Sequence, residues 1–184
     1  MKKRKHTILG KPKTIFQGTV YKITRVPAVL PDGSKKTFEL AYRTPIVVVL
    51  AFNEKRQILV TREYRERYTK YFWHLPAGRA VTKNYKQDAI RELREEAGYK
   101  AKNLRLLYAT TAGFSWPTYT YVATGLSPAP LPPDPGEDIT VVPMSLQKAE
   151  RLALTGKFVD PFLAYSIAIA AFTVRDKGWK ALLR

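Results

Sequence analysis

The chain has no cysteine, which excludes disulfides and thiolate metal sites and agrees with a reducing interior. It also has no long apolar run. The most apolar stretch, Phe162 to Val174, is too short to cross a bilayer, and the basic start Met1-Lys2-Lys3-Arg4-Lys5 is not followed by the apolar segment of a secretion signal. A soluble, cytoplasmic protein without membrane contact is therefore expected. There is no internal repeat, and no linker is long enough to separate two folded domains. Acids are scarce, with 15 Asp and Glu against 32 Lys and Arg, for a formal charge of +17.

The remaining composition suffices for one core. With 184 residues and 45% hydrophobic content, the chain fits a single domain with a small appendage. Thr14 to Pro27 alternates as a strand, Pro31-Asp32-Gly33-Ser34 is a turn, and Lys36 to Tyr42 returns as its hairpin partner. Residues 1–43 are thus expected to form a basic tail and a small N-terminal sheet, and residues 44–184 the main domain. Ile46 to Phe52 is a near-continuous apolar run, as a buried central strand requires, and Asn53 to Arg56 turns it into a further strand, Gln57 to Tyr64. Asn103 to Thr110 and Thr118 to Ala123 read as two more strands. Pro128, Pro130, Pro132, Pro133 and Pro135 predict a stiff surface loop from Ser127 to Gly136. Ile139 to Val142 is a short strand, Ser145 caps a helix to Leu154, and Gly156 ends it. Asp160 and Pro161 open a final helix to Lys177, with Phe162, Tyr165, Ile169 and Phe172 expected in the core.

One acidic spot interrupts the basic background, because four of the fifteen acids lie between Asp88 and Glu96. At ~100° per residue, Ala89, Ile90, Leu93 and Ala97 share one arc of a helix, while Asp88, Glu92, Glu95 and Glu96 share another. Like charges three and four residues apart repel by roughly a few tenths of a kcal/mol each. Arg91 and Arg94 offset this only partly; a bound cation would do so better. Just upstream, Leu75-Pro76-Ala77-Gly78 is a turn able to bring a backbone carbonyl near the helix. A hard cation such as Mg²⁺ takes oxygen ligands, usually one or two carboxylates plus waters and substrate phosphate oxygens. The arrangement suits a divalent-metal site for cleaving phosphate anhydrides, the alternative being a solvated acidic face.

The segment from Gly78 to Tyr99 resembles the Nudix box, G-x5-E-x7-R-E-U-x-E-E-x-G-U with U aliphatic. Gly78, Arg91, Glu92, Leu93, Glu95, Glu96 and Gly98 stand at its positions, with Tyr99 in the last hydrophobic place. The opening Leu75-Pro76-Ala77-Gly78 further resembles the ADP-ribose pyrophosphatase branch. The resemblance implies a Nudix α/β/α sandwich around a mixed sheet, preceded by a small antiparallel N-terminal sheet that commonly exchanges across a homodimer. It implies Mg²⁺ or Mn²⁺ held by Glu92 and Glu96, with Glu95 and the carbonyl of Ala77 as further ligands, and Arg91 beside them in the catalytic set. The implied activity is hydrolysis of the pyrophosphate bond of a nucleoside diphosphate linked to another moiety, with ADP-ribose or a related nucleotide sugar first.

Two features depart from the pattern. The interval from Gly78 to Arg91 is one residue shorter, and Lys83 or Asn84 stands where the family has a loop glutamate, which leaves Glu95 as the partner for Arg91. The loop Thr111 to Thr118 resembles a family loop that carries a catalytic glutamate in many members, yet no acid occurs between Glu96 and Asp134. A general base must then come from elsewhere, with Glu137 and Asp138 the nearest later acids, or metal-bound water must react with weaker assistance.

Candidate substrate contacts follow from residue chemistry. Arg62 and Arg65 resemble the family's R-Q-Y-R stretch, whose forked donors suit phosphates, and Arg79 follows the loop glycine. Phe114 and Trp116 offer a stacking platform for a nucleobase, with Phe16 or Tyr21 from the N-terminal sheet of a partner as further contributors. His74 stands where the branch usually has glutamate and is read as structural rather than as a ligand. The competing reading is a catalytically weakened Nudix-fold module that binds nucleotide or RNA through its basic surface. Lys2, Lys3, Arg4, Lys5, Lys11 and Lys13 of the tail are candidates for nonspecific nucleic-acid contact.

Overall fold

The structure, a computed structural model, describes residues 7–110, 116–133 and 136–183. These fall into two compact units: one runs to Thr44 and includes Trp116 and Pro117, and the other comprises Pro45–Thr110 and the chain from Thr118 onward.

The first unit is a four-stranded antiparallel sheet. Strand β3 (Lys22–Val29) lies at its centre, paired with β1 (Ile8–Leu9), β2 (Lys13–Gln17) and β4 (Lys35–Tyr42). The single strand expected from Thr14 to Pro27 is in fact two, because the chain reverses between Gly18 and Tyr21, where the Gly18 amide donates to the Tyr21 carbonyl at 2.9 Å. The turn expected at Pro31 to Ser34 is present, held by the Ser34 amide and hydroxyl donating to Asp32 at 2.9 and 2.7 Å.

The second unit is layered around β5 (Ile46–Ala51). This strand pairs in parallel with β10 (Thr118–Pro128) and antiparallel with β8 (Ala77–Arg79), and β9 (Tyr99–Thr110) adds antiparallel to β10. A second, antiparallel sheet orders β11 (Ile139–Ser145), β6 (Gln57–Arg65) and β7 (Lys70–His74). Alternation along β5 builds the sandwich. Val47, Val49 and Ala51 pack with Ala89, Leu93 and Ala97 of α1 (Tyr85–Ala97). Val48 and Leu50, with Phe52, pack instead with α2 (Leu146–Leu154), α3 (Pro161–Lys177) and Leu182 of α4 (Trp179–Leu183). Both faces of β5 are covered, hence its unbroken apolar run. The result is the α/β/α sandwich with a mixed sheet that the sequence leads one to expect, preceded by the small antiparallel sheet.

Several elements differ from the sequence reading. Strands β7 and β8 lie in what reads as loop and turn: Ala77 to Arg79 pairs with Val48 to Ile46. β10 continues through Gly125 to Pro128, whose missing N–H is tolerated at the strand's last residue, opposite Tyr99. Tyr165 and Phe172 are 54% and 62% exposed, not core. Helix α3 is apolar on all sides, so its pattern does not mark an inner face; the buried stripe is Leu163, Ser166, Ile167, Ala170 and Ala171. The helix caps are as expected, with Ser145 accepting from the Lys148 amide and Asp160 from the Phe162 amide. Among the described residues no helix is long and apolar enough to cross a membrane.

Candidate metal centre

Helix α1 begins at Asn84, whose side chain accepts from the Gln87 amide, and ends at Gly98, whose φ of 77° favours glycine. Of Lys83 and Asn84, the two residues that stand for the missing loop glutamate, Asn84 is the helix cap. Between these ends Leu93 points into the core at 0% exposure, and Glu92 and Glu96, four residues apart on the flank of the apolar stripe, are carried inward with it to 7% and 8%. The acidic stripe is thus not a solvated face. Asp88, 1% exposed, ties the preceding loop to the helix by accepting from the Val81 and Thr82 amides at 3.2 Å each.

Strand β8 closes over these carboxylates. The Ala77 amide donates to Glu96 Oε2 at 2.8 Å, and a Cβ on Gly78 would overlap the Glu92 carboxylate. Glycine is required there for close approach. Arg91 ion-pairs with both Glu92 and Glu95 and donates to the Arg79 carbonyl at 3.1 Å. Glu95 is thus a partner of the helix arginine, as the missing loop acid suggests.

The electrostatics of this cluster are those of anions without enough counter-charge. Burial pushes Glu92 up to about 7, against the pull of Arg91 and with the push of Glu95 and Glu137. Glu96 lies well above the ordinary carboxylate range, first through burial, then through the charge of Glu63, while the Ala77 amide opposes the rise. A divalent cation would favour the ionised forms of both. Carboxylate oxygens are the donors that Mg²⁺ or Mn²⁺ takes, but Arg91 engages Glu92 and Glu95, and among the described residues the side chains gathered at the spacing of one ion's ligands are Glu63, His74 and Glu96 rather than Glu92, Glu95 and Glu96.

A second group adjoins the first. Glu63 of β6 and His74 of β7, 3% and 8% exposed, stand with Glu96 so that their ligand atoms all lie within 4.8 Å of one another. The Thr61 hydroxyl donates to Glu63 Oε1 at 2.6 Å, and Arg65 ion-pairs with Glu63. His74 Nδ1 is 3.1 Å from Glu63 Oε1 and 2.6 Å from the Leu75 carbonyl. Burial raises the Glu63 carboxyl, but His74, Thr61 and Arg65 together hold it below its ordinary value. Glu63 escapes sequence reasoning. Its signal is the alternation of β6, which puts Thr61, Glu63 and Arg65 on one side.

The same alternation separates the two arginines proposed for phosphate. Arg65 joins Glu63, whereas Arg62 occupies the other side of β6, over the rings of Tyr71 and Trp73 at 5.2 and 5.8 Å. Arg79 is exposed. The charge of Glu137 is felt by both Glu92 and Glu96, while Asp138 accepts from the Tyr71 hydroxyl. Trp116 belongs to the first unit, edge-to-face with Tyr21 at 6.0 Å, with Arg43 over both rings. Phe16 is 56% exposed on the same unit, and Phe114 lies outside the described residues.

Comparison with known proteins adds an independent line. The family model described as NUDIX domain matches residues 42–164. A methanol dehydrogenase activator of Bacillus methanolicus is 32% identical over 121 residues, 64% of this chain and 65% of that protein. An ADP-ribose pyrophosphatase of Mycobacterium tuberculosis is 31% identical over 165 residues, 86% of this chain and 77% of that one, and one from Bacillus subtilis is 28% identical over 159 residues. A crystal structure of an ADP compounds hydrolase superposes with a TM-score of 0.84 at 20% identity, covering 97% of this chain and 99% of that one. With the box residues gathered under β8 and the family model spanning most of the chain, the protein belongs to the Nudix hydrolase family.

Proposed function

We propose that the chain hydrolyses the pyrophosphate bond of ADP-ribose or a related nucleotide sugar with Mg²⁺ or Mn²⁺. The observation that carries this reading is the buried pair Glu92 and Glu96 under the backbone of Ala77 and Gly78, two carboxylates whose burial outweighs the pull of Arg91 on one and of the Ala77 amide on the other. The names of the two pyrophosphatase relatives support the substrate class. When bound, the cation supplies Lewis-acid stabilisation of phosphoryl oxygens and a lowered pKa of coordinated water.

The protein's own groups do the rest. Glu92, Glu95 and Glu96 hold the cation, with the Ala77 carbonyl as a further oxygen. Arg91 pairs with Glu92 and Glu95 and fixes their side chains. Arg65 and Arg79 supply forked donors for the substrate phosphates. Of the two later acids, Asp138 is taken up by the Tyr71 hydroxyl, and Glu137, whose charge acts on both Glu92 and Glu96, is the candidate general base. The exposed Ile8, Leu9, Ile15 and Phe16 of the first unit favour a second copy of the chain as partner. In a test, Glu96→Gln should lower Mg²⁺-dependent release of AMP from ADP-ribose by at least roughly 10²-fold with an unchanged circular dichroism spectrum. Equal rates in variant and parent would reject the assignment.

The charge of +17 and the absence of acids between Glu96 and Asp134 favour a second reading, a weakened Nudix module that binds nucleotide or RNA. Such a module would bind with a steep salt dependence and release no phosphate-containing product from a panel of dinucleotides and nucleotide sugars.

A further inference from the structure

We propose that Glu63, His74 and Glu96 form a mixed imidazole and carboxylate site for a divalent transition-metal ion, distinct from the all-oxygen set of Glu92, Glu95 and Glu96 and sharing only Glu96 with it. The inference rests on the reading of Glu96 as a metal ligand and extends it to the kind of ion taken up. Three separate elements, β6, β7 and α1, deliver these side chains to one place, each less than a tenth exposed. Their ligand atoms lie within 4.8 Å of one another, a spacing that one ion with bonds of about 2.0–2.2 Å can bridge with small adjustments.

The outer contacts have the form of a ligand set already oriented. Glu63 is held by the Thr61 hydroxyl at 2.6 Å and by Arg65, and Glu96 by the Ala77 amide at 2.8 Å. Hydrogen bonds of this type fix the rotamers of ligating carboxylates. His74 Nδ1 faces two oxygen acceptors, the Leu75 carbonyl and Glu63 Oε1, so the ring is held in one orientation beside both carboxylates.

Donor chemistry then decides the ion. Mg²⁺ takes oxygen and parts reluctantly with its waters, whereas imidazole nitrogen suits first-row transition ions. A site with one nitrogen and two carboxylates selects Mn²⁺, Co²⁺ or Zn²⁺ over Mg²⁺. The competing account is a plain ion pair, in which His74 only neutralises Glu63.

Pulsed electron paramagnetic resonance of Mn²⁺ added to the full chain, without nucleotide, separates the two. The expected spectrum carries ¹⁴N modulation from one imidazole. The chain has only two histidines, His6 and His74, so the signal should persist in His6→Gln and vanish in His74→Gln. Calorimetry should show the preference for Mn²⁺ over Mg²⁺ falling at least about tenfold in His74→Glu, where all donors are oxygen. Bound Mn²⁺ with no ¹⁴N modulation, or modulation that survives His74→Gln, overturns the mixed site and leaves the carboxylate centre standing. No Mn²⁺ uptake at all overturns both. The spectra of the parent and of His6→Gln decide the matter even if His74→Gln fails to fold.

Discussion

Glycine 78 is the residue on which the geometry of the carboxylate pair turns. Its backbone lies so close to Glu92 that any side chain must displace the carboxylate or push β8 off β5. Gly78→Ala should therefore lower kcat/KM by about 10²-fold, the scale on which small misplacements of catalytic groups act, and weaken Mn²⁺ binding measured by calorimetry. A variant with parental affinity and rate would show that the close approach has no function. Residues of this kind differ in how legible they are. Glu92 and Glu96 are readable because four-residue spacing fixes a helix face whatever surrounds it, and Arg91 with Glu95 follows from the same geometry. Glu63 and His74 are not, since their meeting depends on the pairing of Thr61 with His74 across β6 and β7, which no local pattern encodes.

At the scale of elements, local signals worked where one physical cause dominates. The apolar run Ile46 to Ala51 announces a strand buried on both faces, and Ser145 and Asp160 announce helix starts because their side chains satisfy otherwise orphaned amides. They failed where tertiary pairing overrides a local preference: Ala77 to Arg79 has turn chemistry, yet its backbone completes the edge of β5. Helix α3 is the informative failure, because an apolar surface all round leaves its orientation to the small residues Ser166, Ala170 and Ala171, which let it approach the sheet. Ile167→Ala should consequently cost about 2–5 kcal/mol in urea unfolding, and Phe172→Ser within about 0.5 kcal/mol. Comparable losses for both would mean that the aromatic side of α3 is covered in solution.

For the whole molecule, the excess of positive charge conceals a local excess of negative charge, and pH exposes it. Glu92 rises from 4.5 to about 7 on folding, chiefly through burial. Between those values the native chain binds more protons than the unfolded one, so the metal-free protein loses stability as pH rises from 4.5 toward 7 and bears the full penalty, at most about 3 kcal/mol, above it. Glu96 acts in the same direction. Glu63, held low by His74, Thr61 and Arg65, acts oppositely, since its contribution is present above the ordinary carboxylate value and is lost as pH falls through its own. The net charge of +17 adds repulsion that grows with acidification, which places the metal-free optimum in the mildly acidic range rather than at the sequence pI of 10.1. A bound divalent cation favours the ionised carboxylates and reverses the burial penalty, so saturating Mn²⁺ should raise the melting temperature more at pH 8 than at pH 5.5. Glu92→Gln should flatten the metal-free decline between those two values and remove much of the pH dependence of the Mn²⁺ effect. Scanning calorimetry of parent and variant, with and without metal, measures all of these quantities together, and a metal-free decline that both Glu92→Gln and Glu96→Gln leave untouched would locate the titrating group outside the carboxylate cluster.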